Sequence, residues 1–374
     1  MVTLPAFADL HVHFREPGQR WKETIRSGSM AAARGGYTLV CAMPNLDPVP
    51  DSPETLALEQ AIINKDAVIK VLPYCSITKG RKGLELVDFQ KLKNSCAAFS
   101  DDGSGVQSRA IMREAMRAAA AADVILAAHC EDNSLLNGGY IHDGKYCRAH
   151  GHKGICSESE WGQIARDLEL AAETGCRYHV CHISTKESVD IIRQAKASGV
   201  RVTCETAPHY LTLCEDDLKE DGRFKMNPPI RSAEDRDALI EGLRDGTIDV
   251  IATDHAPHSA EEKARGLKGS AMGIVGLETA FPVLYTRLVS TGLISLERIV
   301  EALSTAPRRV FRLPDAPQDR IEVDLDTPYT IDSRSFLSMG RSTPFDGMQV
   351  TGKIVKTYYN GYLVYDSTQE EVGA

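Results

Sequence analysis

"FADLHVHFREPG", residues 7–18, sets two histidines one residue apart at the end of an apolar run, ahead of an arginine, a glutamate and a Pro-Gly turn. Side chains alternate faces along a strand, so His11 and His13 project together. Two neutral imidazoles converging on one point suit a metal ion better than they suit each other. Taken alone, the stretch also fits two unrelated polar residues at a strand end. The rest of the chain decides between these readings.

The pattern recurs. Short apolar, β-rich runs that end in polar residues occur at 5–13, 37–45, 67–74, 96–103, 123–132, 177–184, 201–209 and 249–258. Helix-like segments lie between them, such as "SRAIMREAMRAAAAA" (108–122), "KESVDIIRQAKASG" (186–199) and "AEDRDALIEGLRDG" (233–246). Runs apolar on both faces, each followed by a helix, are what a parallel sheet covered by helices requires. Eight such units predict an α/β chain with a (β/α)8 barrel of the TIM type over residues 1–310. Beyond about residue 310, "RIEVDLDTPYTIDSRSF" and "TGKIVKTYYNGYLVYD" alternate apolar and polar residues, and "NG" marks a tight hairpin. Residues 311–374 therefore read as a small β-rich appendage.

Composition narrows the function. At 374 residues the chain can bury a large core. A net charge of −9 argues against nucleic acid as a partner, though not against an anionic substrate held by metal ions and an arginine. No apolar run is long enough to span a membrane and no signal-peptide pattern opens the chain, so a cytoplasmic location is expected. The ten cysteines are scattered and read as reduced thiols.

In such a barrel the active site forms at the C-terminal ends of the strands. The chain places there His11, His13 and Arg15, then Asn45, Asp101 and Asp102, His129 with Glu131 and Asp132, His179 and His182, His209, and finally Asp254, His255 and His258. Histidines and carboxylates gathered at strand tips mark a catalytic zinc site of one or two ions. Asp254, with an apolar strand behind it and "HAPH" ahead, is the candidate proton shuttle.

The stretches "DLHVHFREPG", "AMPNLDPVPD", "AFSDDGSGVQ", "HCED", "HVCHISTKES", "KMNPPIR" and "ATDHAPH" follow one another across residues 7–310. In this the sequence resembles the dihydroorotases of the amidohydrolase superfamily. The resemblance implies that His11 and His13, with Asp254, hold the more buried zinc, and that His129 and His182 hold a second where one is present. It implies that Arg15, Asn45 and His258 bind a substrate carboxylate, that Asn227 contacts the pyrimidine ring, and that backbone groups around Ala271 and Gly273 complete its recognition. The implied reaction is the reversible closure of N-carbamoyl-L-aspartate to L-dihydroorotate in pyrimidine synthesis. Expected partners are this small molecule, a second copy of the chain in a dimer, and, as in some of this branch, aspartate transcarbamoylase.

Two departures stand out. Many superfamily members bridge two metals with a carboxylated lysine at the fourth strand. Here "CAAFSDDG" has none, and Lys93 comes too early. This resembles the dihydroorotase branch in which an aspartate takes the bridging place, and the resemblance implies Asp102 rather than Asp101, since Asp102 has the family's spacing to the histidine of "HCED" and shares a strand face with Ala98 and Ser100. Relatives also carry several dozen residues before the first barrel strand, so the appendage is expected to come from the C-terminal segment alone.

The remaining polar residues have plainer readings. His179 faces away from His182 and is structural. His209 supports the site from behind, His255 points away from Asp254, and His142, His150 and His152 are exposed loop residues. Asp101 caps a turn, and Glu131 and Asp132 cap the next helix. Cys130 is no nucleophile. Residues 258–270 form a mobile flap. Two other functions remain open: a hydantoinase- or allantoinase-like cyclic amidase, and a non-catalytic scaffold for aspartate transcarbamoylase. Against the first stand Arg15 and the missing lysine; against the second stands the intact set of candidate ligands.

Overall fold

The computed structural model describes residues 1–369. Seven parallel strands and one bridging segment form a ring. Phe7–Val12 pairs with Tyr37–Ala42, which pairs with Lys70–Pro73. Residues 97–100 follow through the bridges Cys75 to Phe99 and Phe99 to Leu126. Ile125–Ala128, Arg177–Val180, Val202–Thr206 and Val250–Ile251 then pair in turn. A parallel bridge from His255 to Val12 closes the circle. The expected eight runs thus become the eight staves of a (β/α)8 barrel.

The helices between staves begin where their sequences say they should. Thr24, Ser52, Ser108, Thr185 and Ser232 each accept a hydrogen bond from the first turn of the helix that follows. Such caps satisfy amides that no helical carbonyl can reach. Inside the barrel, Ala8, Leu10, Leu39, Met43, Tyr74, Ala98 and Ala127 pack in layers, and Phe311 from the helix Thr305–Phe311 joins the same cluster.

The first strand carries the feature that aims the histidines. From Asp9 to Val12 it advances three residues while its partner advances two, from Val40 to Ala42. The extra residue is a bulge, and bulges re-aim side chains. Ala8 and Leu10 fill the interior, while His11 within the bulge and His13 beyond it reach the barrel mouth.

The appendage is a four-stranded sheet in the order Val2–Pro5, Arg320–Asp324, Lys353–Tyr359, Tyr362–Asp366. Its hairpin turns at Asn360 and Gly361, both at positive φ, as the Asn-Gly signature predicts. One expectation is corrected here. Val2–Pro5 pairs antiparallel with Arg320–Asp324, so the sheet is not made from the C-terminal segment alone. Leu4 follows the edge-strand alternation that an apolar–polar count over four residues cannot separate from the barrel run beginning at Phe7.

Candidate active site

The mouth residues converge. His11 is fully buried, and its Nδ1 lies 2.7 Å from Glu205 Oε1. His13 Nδ1 lies 2.8 Å from Asn45 Oδ1. Both acceptors fix the tautomer, with the proton on Nδ1, and leave each Nε2 lone pair facing inward. There His11 Nε2 is 3.3 Å from Asp102 Oδ1 and 3.6 Å from Asp254 Oδ1. His13 Nε2 is 3.1 Å from Asp254 Oδ1 and 3.5 Å from Asp102 Oδ2. On the other side of Asp102, His129 Nδ1 and His182 Nε2 lie 3.0 Å apart, 3.9 and 3.5 Å from Asp102 Oδ1.

Two sets of donors able to hold a metal ion therefore share one carboxylate: His11, His13 and Asp102, and Asp102, His129 and His182. His11 Nε2 and Asp102 Oδ1 are buried and have no hydrogen-bond partner within the chain. Donors left unpaired in a buried place are costly unless something absent from the polypeptide completes them. Asp254 is driven upward by burial, but the His13 ring at 3.1 Å and the other neighbouring histidines hold it down at about 2.

Arg15, His182 and Asp254 adopt positive φ (60°, 33° and 48°). Non-glycine residues take up this conformation at a cost, and such positions gather at functional sites. Gly18 permits the Arg15 turn: a Cβ there would come within 2.4 Å of Asp47 O.

A pocket opens over these groups, lined by His13, Arg15, Asn45, Asp102, Asn227, Asp254, His258 and Gly273 among others. Arg15 is buried, and its Nε donates to Pro257 O at 3.2 Å. Burial brings its guanidinium down to about 10. Among the described residues no carboxylate makes a salt bridge with it, an unusual state for a buried guanidinium facing a cavity.

Comparison with known proteins agrees with this geometry. Residues 1–188 match the dihydro-orotase-like family. Over 98% of this chain and 87% of the relative, the sequence is 53% identical to the dihydroorotase of Bacillus caldolyticus and 54% identical to that of Shouchella clausii (strain KSM-K16). The chain belongs to the dihydroorotase family. Membership makes it an enzyme, a cyclic amide hydrolase. Among solved structures, the L-hydantoinase (dihydropyrimidinase) from Arthrobacter aurescens is similar, with a TM-score of 0.87 and 27% identity over 97% of this chain and 85% of that one. Dihydropyrimidinase from Brevibacillus agri NCHU1002, 21% identical over 97% of this chain and 85% of that one, shares the fold at a TM-score of 0.81.

Within this dihydroorotase-family site several plainer readings change. Glu131 is not a helix cap: its Oε2 faces His129 Nε2 at 3.5 Å and its Oε1 accepts from Asn227 Nδ2 at 2.9 Å. Asp101 ties the fourth stave to its neighbour by accepting from the Ile77 and Thr78 amides. Ala271 does not line the pocket; its amide and carbonyl are bonded to Glu262 O and Lys263 Nζ. Gly273 lines the pocket, but its amide donates to Lys225 O and its carbonyl accepts from Lys263. His152 is half-buried between Tyr140 and Glu220 rather than exposed. The supposed flap is tied down, with Lys263, Leu267 and Ser270 buried. His209 makes no hydrogen bond to any of the clustered ligands through its buried Nε2.

Other readings agree. His179 is buried below the site, against Thr203 and Glu205. His255 points away to Glu23. Cys130 is buried beside Tyr178, and burial raises its thiol well above the usual range.

Sequence reasoning missed Glu205. Its signal was a single carboxylate inside "RVTCETAPH", where a buried charge has to find a partner.

Proposed function

We propose that the chain is a zinc-dependent dihydroorotase that closes N-carbamoyl-L-aspartate to L-dihydroorotate, with loss of water, and reverses that step in de novo pyrimidine synthesis. The observation that carries the reading is the shared Asp102 between two donor sets, beneath a pocket that presents a buried Arg15 with no salt-bridge partner among the described residues. His11, His13, Asp254 and Asp102 would hold one ion, and Asp102, His129 and His182 the other. Zinc bound there supplies a water of lowered pKa and an electrophile for the amide carbonyl.

The chain's own residues do the rest. Arg15 offers a two-pronged fork to the substrate carboxylate, with His258 and Asn45 beside it. Asn227, held by Glu131, faces the ring. Asp254 enters ring opening as a carboxylate, takes a proton from the attacking water and delivers it to the ring nitrogen. In ring closure it takes the proton from the carbamoyl nitrogen and gives it to the departing hydroxyl. Asp254→Asn should lower turnover about a hundred- to ten-thousandfold, read by dihydroorotate hydrolysis, with the fold intact by circular dichroism.

A hydantoinase-like activity is disfavoured, because a hydantoin without a carboxylate leaves Arg15 buried and unpaired. No described helix is long and apolar enough to cross a membrane. The proposal extends to a cytoplasmic enzyme that pairs with a second copy and docks on aspartate transcarbamoylase. Size-exclusion chromatography with and without that enzyme tests both associations.

A further inference from the structure

Residues 258–273 form the wall of the pocket that carries His258, Met272 and Gly273. Two single-turn helices, Ala260–Lys263 and Gly266–Gly269, lie within this segment. At the end of the first, Lys263 turns inward and is buried. Its Nζ lies 2.9 Å from Lys225 O, 2.8 Å from Ala271 O and 2.7 Å from Gly273 O. An ammonium carries three N–H donors and no acceptor, so three carbonyls satisfy it completely. All three carbonyls lie outside helices and strands, and of the three only Lys225 O also accepts a backbone amide, that of Gly273.

The clasp joins two loops. Lys225 sits two residues before Asn227, in the loop that follows the seventh stave. Its own Nζ donates to Lys268 O at 2.8 Å, above the Tyr140 ring at 5.2 Å. Gly273 N returns a bond to Lys225 O at 3.1 Å. The bonded Gly273 forms part of the pocket wall, and the adjacent Met272 O accepts from His258 Nε2 at 2.8 Å. The Lys263 ammonium is thus directly behind the wall that faces the substrate.

We infer that Lys263 is a positioning residue for substrate binding, its ammonium clasping the loop after the eighth stave to the loop that carries Asn227 and so fixing His258, Met272 and Gly273 around the substrate. Only the substrate's identity in this inference rests on the function proposed above. A side chain of similar length without the ammonium leaves the Ala271 and Gly273 carbonyls unpaired and Lys225 O with the Gly273 amide alone, and the wall has to loosen to find water for them.

The test compares Lys263→Met and Lys263→Arg with the wild-type full chain, all zinc-loaded, by steady-state dihydroorotate hydrolysis and by hydrogen exchange of residues 258–273. The Met variant should raise KM about tenfold or more, with kcat within about threefold and zinc content unchanged, the pattern of lost binding rather than lost chemistry. Its amides in 258–273 should exchange faster, and Arg should recover part of both effects. A folded Met variant with wild-type KM and wild-type exchange would overturn the inference. So would a fall in kcat and zinc at unchanged KM. Should the Met variant not fold, Lys263→Gln carries the same comparison. If the wild-type chain does not hydrolyse dihydroorotate, the substrate reading fails, and the exchange comparison alone decides whether the clasp exists.

Discussion

Glu205 shows how much of a metal site lies behind its ligands. It is fully buried on the seventh stave, and it receives His11 Nδ1 at 2.7 Å and His179 Nε2 at 3.2 Å. Burial alone would raise such a carboxyl; the two histidines hold it far below the carboxylate range instead. Under the proposed function it would orient His11 and make its Nε2 more basic. Partners of this kind typically change metal affinity about 10–100-fold when altered. Glu205→Gln should weaken zinc binding by that factor, measured by competition with a chromophoric chelator, while the folded far-ultraviolet spectrum is kept. The candidate ligands themselves could be read from the chain because their spacing is tied to strand ends. Their supports could not, because a lone carboxylate in an apolar run carries no record of which histidine it will meet across the barrel.

The staves differ in how plainly the sequence announces them. Seven are runs of β-forming residues that pair in register. The fourth, 97–100, is a four-residue run bonded to its neighbours around Phe99, from Ala97 N to Pro73 O, Cys75 N to Ala98 O and Phe99 N to Ile125 O, and is too short to make a regular ladder. The seam between the first and last staves is held by a side chain. Asp9 Oδ1 accepts from the His11 amide at 3.0 Å and the Thr253 amide at 3.2 Å, and Asp9 Oδ2 accepts from Thr253 Oγ1 at 2.6 Å. These bonds lock the strand that carries His11 to the one that carries Asp254. In Asp9→Asn the amide nitrogen either opposes the His11 and Thr253 amides or takes the Thr253 hydroxyl as its acceptor, and that hydroxyl then has to turn its own proton elsewhere. The expected loss is about 1–3 kcal/mol of stability, read by urea unfolding of the metal-free chain so that metal affinity does not mask it. The bulge between Asp9 and Val12 could not be foreseen, since alternation alone puts Leu10 and His11 on opposite faces.

The appendage and the barrel form one packed body. Thr357 Oγ1 donates to Ala33 O at 2.7 Å, and Ile321 and Val323 belong to the main core. The connection also reaches toward the site. Glu23, after the first stave, accepts from the Ser338 hydroxyl, from the Met339 amide at 3.1 Å and from His255 Nε2 at 3.3 Å, and His255 follows Asp254. Ser338→Ala removes one donor from a buried carboxylate and should cost about 1–3 kcal/mol, seen as a lowered Tm with the zinc content unchanged. Nothing in the periodicity of residues 311–374 revealed this contact, because hydroxyl-to-carboxylate bonds across hundreds of residues leave no local pattern.

The proposed two-metal chemistry depends on Asp102, the carboxylate shared by the two donor sets. The most direct measurement is zinc content by elemental analysis, taken together with dihydroorotate hydrolysis, for the wild-type chain and Asp102→Ala. A shared Asp102 predicts two zinc ions per active wild-type chain, and a variant that retains the fold while losing zinc and most of its turnover. A variant that keeps wild-type zinc and wild-type turnover would contradict it.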